Sequence, residues 1–60
     1  MTQHSYTYFY KDKSNVLREK TVMANTIALS LVLFYDYCKE EADDKSFVPR
    51  ITNLSIGKLQ

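Results

Sequence analysis

The sequence predicts an α+β domain, a small ββαβ chain whose antiparallel sheet of two to three strands packs on one long helix. Three features of its 60 residues point there. The stretch SYTYFY (Ser5 to Tyr10) is dense in aromatic residues, which favour strands. The mid-chain run IALSLVLFYDYC (Ile27 to Cys38) is apolar at helical spacing. After the single proline, Arg50 to Ile56 holds three β-branched residues. A sheet with one helix across it gives the two layers that a domain core requires.

In the first strand, period two puts Tyr6, Tyr8 and Tyr10 on one face and Thr7 and Phe9 on the other. KDKSN (Lys11 to Asn15) is polar, and its Asp, Ser and Asn suit a turn because their side chains bond nearby backbone. VLREKTVM (Val16 to Met23) alternates weakly and completes a hairpin. A helix starting at Ser14 or Asn15 is the rival reading, but Leu17 three residues after Ser14 denies it a capping box.

The helix begins near Asn25, whose side-chain oxygen can accept from a free backbone N–H. At about 100° per residue, Ile27, Leu31, Phe34, Tyr35, Cys38 and Ala42 share a core-facing side, with Ala28 at its edge. On the opposite side Leu29, Val32, Leu33 and Tyr37 lie among Ser30, Asp36 and Glu40. That second apolar stripe needs a cover. The C-terminus is expected to fray across EEADDK, since Asp43 and Asp44 oppose the macrodipole. Pro49 confines the last strand to an edge, or starts it. In Arg50 to Ile56, Thr52, Leu54 and Ile56 fall on one face; a short helix using Ile51, Leu54 and Leu59 is the alternative.

Size sets the energetic frame. Residues 1–60 make one domain, with 1–4 and 58–60 expected to be mobile ends. So short a chain is marginal as a monomer. One cysteine excludes an internal disulfide, and His4 with Cys38 falls short of a zinc ligand set. No cofactor or metal is expected. Stability then rests on packing or on association. A formal charge of +1 gives no general attraction to nucleic acid or membranes. MTQHSYTY lacks the basic and apolar regions of a signal peptide, so a cytoplasmic protein with a reduced thiol is expected.

Catalysis is not expected. The lone His4 sits near a terminus, and Cys38 falls on the core face among acidic neighbours, where a thiol stays protonated. Gly57 stands alone, so there is no phosphate loop. The acidic run Asp36, Glu40, Glu41, Asp43, Asp44 lacks the spacing of a calcium loop. It reads either as a solvated helix end or as a patch for a basic partner.

The apolar run reads as a membrane span, as an ordinary core helix whose outer stripe the C-terminal segment folds over, or as a two-faced helix that meets a partner, and the tyrosine strand adds a separate nucleic-acid reading. A membrane span needs about 20 apolar residues, and Asn25, Thr26, Ser30 and Asp36 interrupt this one. A single-stranded nucleic-acid module would stack bases on Tyr6, Tyr8 and Tyr10 and track phosphates with Lys11, Lys13, Arg18 and Lys20. The favoured reading is a non-catalytic protein-interaction module, an inhibitor- or antitoxin-like regulator of a larger protein that also forms a homodimer. Its contacts would be Leu29, Leu33 and Tyr37, rimmed by Asp36, Glu40, Asp43 and Asp44.

Overall fold

A computed structural model describes residues 3–58 and gives the expected ββαβ order: β1 (His4–Lys11), β2 (Leu17–Ala24), α1 (Ile27–Ala42) and β3 (Arg50–Lys58). The strands form one antiparallel sheet in the order β2-β1-β3. The aromatic strand is therefore central, where both neighbours and the helix can cover its rings. The Arg50 segment is a strand and not a helix, and it starts directly after Pro49 on a sheet edge. Its alternative use of Leu59, and the expected mobility of residues 1, 2, 59 and 60, lie outside the described residues. His4 is not a loose end: it pairs with Ala24 on one side and Lys58 on the other.

The register builds the core in rows. Tyr6 lies between Val22 and Ile56, Tyr8 between Lys20 and Leu54, and Tyr10 between Arg18 and Ile51. All three tyrosines are buried, as are Val22 and Ala24. Directly paired residues share a face, so Ile51, Leu54 and Ile56 form the inner row of β3. The expected trio of Thr52, Leu54 and Ile56 is thereby corrected. Phe9 pairs with Asn53 but Tyr10 with Ile51, so Thr52 is an extra residue in a bulge. Its hydroxyl donates to the Phe9 carbonyl at 3.0 Å.

The hairpin is closed by Asp12. One carboxylate oxygen accepts from the Ser14 N–H at 2.8 Å and the Val16 N–H at 3.0 Å, and the other accepts from Arg18 Nε at 2.6 Å. Asn15 takes the left-handed conformation (φ 62°) that asparagine tolerates best among non-glycine residues.

The helix cap is Thr26 and not Asn25. Thr26 has extended backbone angles, and its Oγ1 accepts from the Leu29 N–H at 3.2 Å. The expected fraying is also absent: α1 runs to Ala42 and ends on Asp43 in the left-handed region (φ 51°). There the Asp43 N–H donates to the Glu40 carbonyl and the Asp44 N–H to the Lys39 carbonyl, each at 3.1 Å. This paired closure satisfies two terminal carbonyls.

The buried stripe of α1 is Ser30, Phe34 and Cys38. The expected face is rotated by part of a turn: Ser30 goes in and Ile27 comes out, while Leu31 and Tyr35 flank the core. The reason is polar. Tyr8 is 1% exposed and needs a partner for its hydroxyl. Ser30 Oγ donates to the Ile27 carbonyl at 2.7 Å and so accepts from Tyr8 Oη at 2.5 Å. Phe34 then stacks on Tyr8 (4.3 Å between centroids) and meets Tyr10 edge-on (5.0 Å).

Coverage of the sheet is uneven. The helix packs on β2 and β1, and none of its Cα atoms comes within 8 Å of β3. On β3, Ile51 and Leu54 are half-buried against the core, while Ile56 is 56% exposed.

Candidate functional site

The outer face of α1 rises directly from that packing. With Ser30, Phe34 and Cys38 turned inward, helical geometry turns Leu29, Val32, Leu33, Asp36 and Glu40 outward. Leu29 is 46% exposed, Val32 55% and Leu33 41%. Asp36 and Glu40 are exposed beyond them, so the face is apolar in its N-terminal half and acidic in its C-terminal half.

The remaining residues expected on this surface divide. Tyr37 is half-buried on the flank facing β2, with Lys20 Nζ 4.3 Å from its ring centroid. That contact lets a charged strand residue lie along an aromatic one. Asp43 is exposed at the cap. Asp44 is engaged within its own chain: Lys13 Nζ lies 3.1 Å away, and Ser46 donates from its N–H at 2.9 Å and its hydroxyl at 2.7 Å. Ser46, helped by Lys13, lowers the Asp44 carboxyl to a pKa of about 2. Asp44 therefore ties the hairpin to the helix end and does not belong to an open rim.

Sequence reasoning missed two exposed groups. Ile27, assigned to the core, is 47% exposed, and Ile56 on β3 is 56% exposed. Ile56 could not be found from its own segment. Its exposure follows from which strands the helix covers, and no local pattern encodes that.

The tyrosine platform is corrected by burial. Tyr6, Tyr8 and Tyr10 are 5%, 1% and 4% exposed, so none offers a free face on which a base could stack. The basic residues assigned to phosphates are dispersed as well. Lys13 bridges to Asp44, Arg18 to Asp12, and Lys20 lies over Tyr37. Lys11 pairs with Leu17 and Arg50, on the sheet face opposite the tyrosines.

A cleft of about 340 Å³ opens between the hairpin and the helix end, lined by Tyr10, Asp12, Lys13, Arg18, Cys38 and Glu41 among others. Its charges are largely spent on one another. Hydrogen bonds from Arg18 and backbone hold the Asp12 carboxyl below the usual range. At the floor, burial pushes the Cys38 thiol up and the Tyr10 hydroxyl up to about 12. Both groups stay protonated at neutral pH, which leaves Cys38 a small buried hydrophobe and a poor nucleophile. His4 has its Nδ1 buried without a hydrogen-bond partner among the described residues, with the Tyr6 ring 6.1 Å away.

The helix has 16 residues, and no helix of the described residues is long and apolar enough to cross a membrane. Compared with known proteins, the chain matches no family model, no curated protein and no solved structure.

Proposed function

We propose that this chain is a small non-catalytic protein-interaction module that regulates a larger protein in the manner of an inhibitor or antitoxin. The contact surface is the outer face of α1. One observation carries the reading: Leu29, Val32 and Leu33 lie side by side on one helix face and all remain at least 41% exposed. Adjacent large apolar side chains in water are a recurrent feature of interaction surfaces. Burying them stabilises a complex by roughly 25 cal/mol per Å² of apolar area removed from water. Asp36 and Glu40 supply a charged rim that favours a partner with basic groups beside an apolar cleft. The free thiol of Cys38 accords with a reducing compartment, and we place the protein in the cytoplasm.

The test is affinity capture from the native host with two baits, the wild-type chain and Leu33→Asp. Recovery of a stoichiometric protein by the first bait alone supports the assignment. Equal recovery by both baits removes the outer helix face from the interface.

A further inference from the structure

The sheet has a second face, and no element of the described residues covers it. Helix α1 lies over the tyrosine rows, with Phe47 packed against the same core. On the opposite face the register places Glu19, Phe9 and Asn53 in one row and Leu17, Lys11 and Arg50 in the next. Phe9 is half-buried in the central strand, and Glu19, Leu17 and Asn53 around it are exposed.

Lys11 and Arg50 are direct cross-strand partners. Like charges opposite each other destabilise a sheet. Lys13, Arg18, Lys20 and Lys39 each lie against an acidic or aromatic side chain. Lys11 and Arg50 form no ion pair among the described residues. An anion seated between them relieves their repulsion. We propose that this open face binds single-stranded nucleic acid, with a base stacked on Phe9 and an adjoining phosphate held by Lys11 and Arg50. This surface lies across the sheet from the outer face of α1 and is independent of the reading given to that face.

The layout favours this occupant over a protein. Residues two apart on a strand point the same way and lie about 7 Å from each other. Phe9 and Lys11 therefore present a ring and a cation within the reach of one nucleotide. The side-chain oxygen of Asn53 accepts from the Leu54 N–H at 2.9 Å. Its amide nitrogen has no partner among the described residues and can donate to a base edge beside the ring. Protein interfaces deplete charge from their centre, whereas here two cations and a carboxylate stand next to Phe9.

The formal charge of +1 conceals a separation. Of seven acidic residues, five (Asp36, Glu40, Glu41, Asp43 and Asp44) belong to α1 and the turn that ends it, on the other side of the sheet. Glu19 is the acidic residue in these two rows. It stands on the β2 side of Phe9, so it repels phosphates there and directs the strand over β1 and β3.

The experiment is fluorescence anisotropy of labelled oligothymidylate and oligouridylate of about ten nucleotides, titrated with protein across a salt series. Circular dichroism establishes that each variant folds. The wild type should bind at low salt. Lys11→Gln and Arg50→Gln should each lower the slope of log Kd against log salt by about 0.7. Lys20→Gln removes the same charge from the tyrosine face and should leave that slope unchanged. Phe9→Leu keeps an apolar side chain without a ring and should weaken binding on the order of tenfold, while Phe9→Tyr retains it. Glu19→Gln should tighten it. If Phe9→Leu fails to fold, the charge variants decide alone. No binding at low salt overturns the proposal. So does an equal loss from Lys20→Gln and Lys11→Gln, which is diffuse attraction, or competition by a duplex of the same length as strong as by the single strand. None of these results bears on capture of a protein by the wild-type and Leu33→Asp baits, so the two surfaces stand or fall separately.

Discussion

Strands β2 and β3 flank the same central strand, yet they have different fates. Val22 on β2 and Ile56 on β3 both pair with Tyr6 and face the same way. Val22 is 8% exposed and Ile56 is 56% exposed. The difference arises from the single helix, which is too narrow to span three strands and settles over β2 and β1. The edges differ too. β2 carries Arg18 and Lys20 on its inner row, a device that discourages edge pairing. Ile51 to Gly57 on β3 contains no charged residue. The β2 side of the sheet is finished as a core, and the β3 side leaves Ile56 in water.

The strongest way to break this comparison is to empty the covered half. Phe34 is fully buried and contacts both Tyr8 and Tyr10. Phe34→Ala should remove about 3–5 kcal/mol, as large aromatic-to-alanine core changes do. A domain of this size has roughly that much stability in total. The variant is therefore expected to be unfolded by circular dichroism at 25 °C. A cooperative melt near that of the wild type would mean that the core lies elsewhere.

Much of this organisation was legible beforehand, and the misses share a cause. The ββαβ order and the exposure of Leu29 and Leu33 follow from local periodicity, which needs no knowledge of neighbours. Ser30 and Ile27 are misplaced, and the exposure of Ile56 is not foreseen, because their environment is set by a tertiary choice, namely where the helix crosses the sheet. A serine reads as surface until the buried hydroxyl of Tyr8 requires it. Tyr6, Tyr8 and Tyr10 could serve a core or a ligand equally well by pattern; burial under α1 decides for the core. Thr52 shows a third kind of miss, since one bulge residue reverses the faces of everything before it.

The Tyr8–Ser30 pair sharpens the polar side of the comparison. Ser30→Ala leaves the Tyr8 hydroxyl buried without an acceptor and should destabilise by roughly 1–3 kcal/mol. Tyr8→Phe leaves Ser30 donating to the Ile27 carbonyl and should cost only about 1 kcal/mol. Urea titrations of both variants check the order. Equal losses would indicate that the hydroxyls are not paired.

Alkali probes the same core without a core deletion. Tyr10 has its folded-state pKa raised to about 12, chiefly by burial, from the ordinary tyrosine value of 10.0. Below pH 10 the folded and unfolded chains both hold this proton, and the stability is fully present. Between pH 10 and 12 the unfolded chain releases it more readily, so stability falls as pH rises. Tyr10→Phe should flatten the melting temperature across this window relative to wild type. An unchanged slope would show that Tyr10 does not cause the alkaline loss.

The row through Tyr6 gives the smallest effect and the most direct reading of unequal coverage. Val22→Thr places a hydroxyl under the helix and should destabilise by roughly 1–3 kcal/mol. Ile56→Thr, on the other side of the same tyrosine, should stay within about 0.5 kcal/mol when measured at protein concentrations low enough for single copies. Raising the protein concentration separates two explanations for so small a value. If β3 is an ordinary solvated edge, the Ile56→Thr effect is independent of concentration. If a second copy covers it, the wild type gains stability by mass action and the variant gains less. The gap between their melting temperatures must then widen as concentration rises, while the gap for Val22→Thr stays nearly constant.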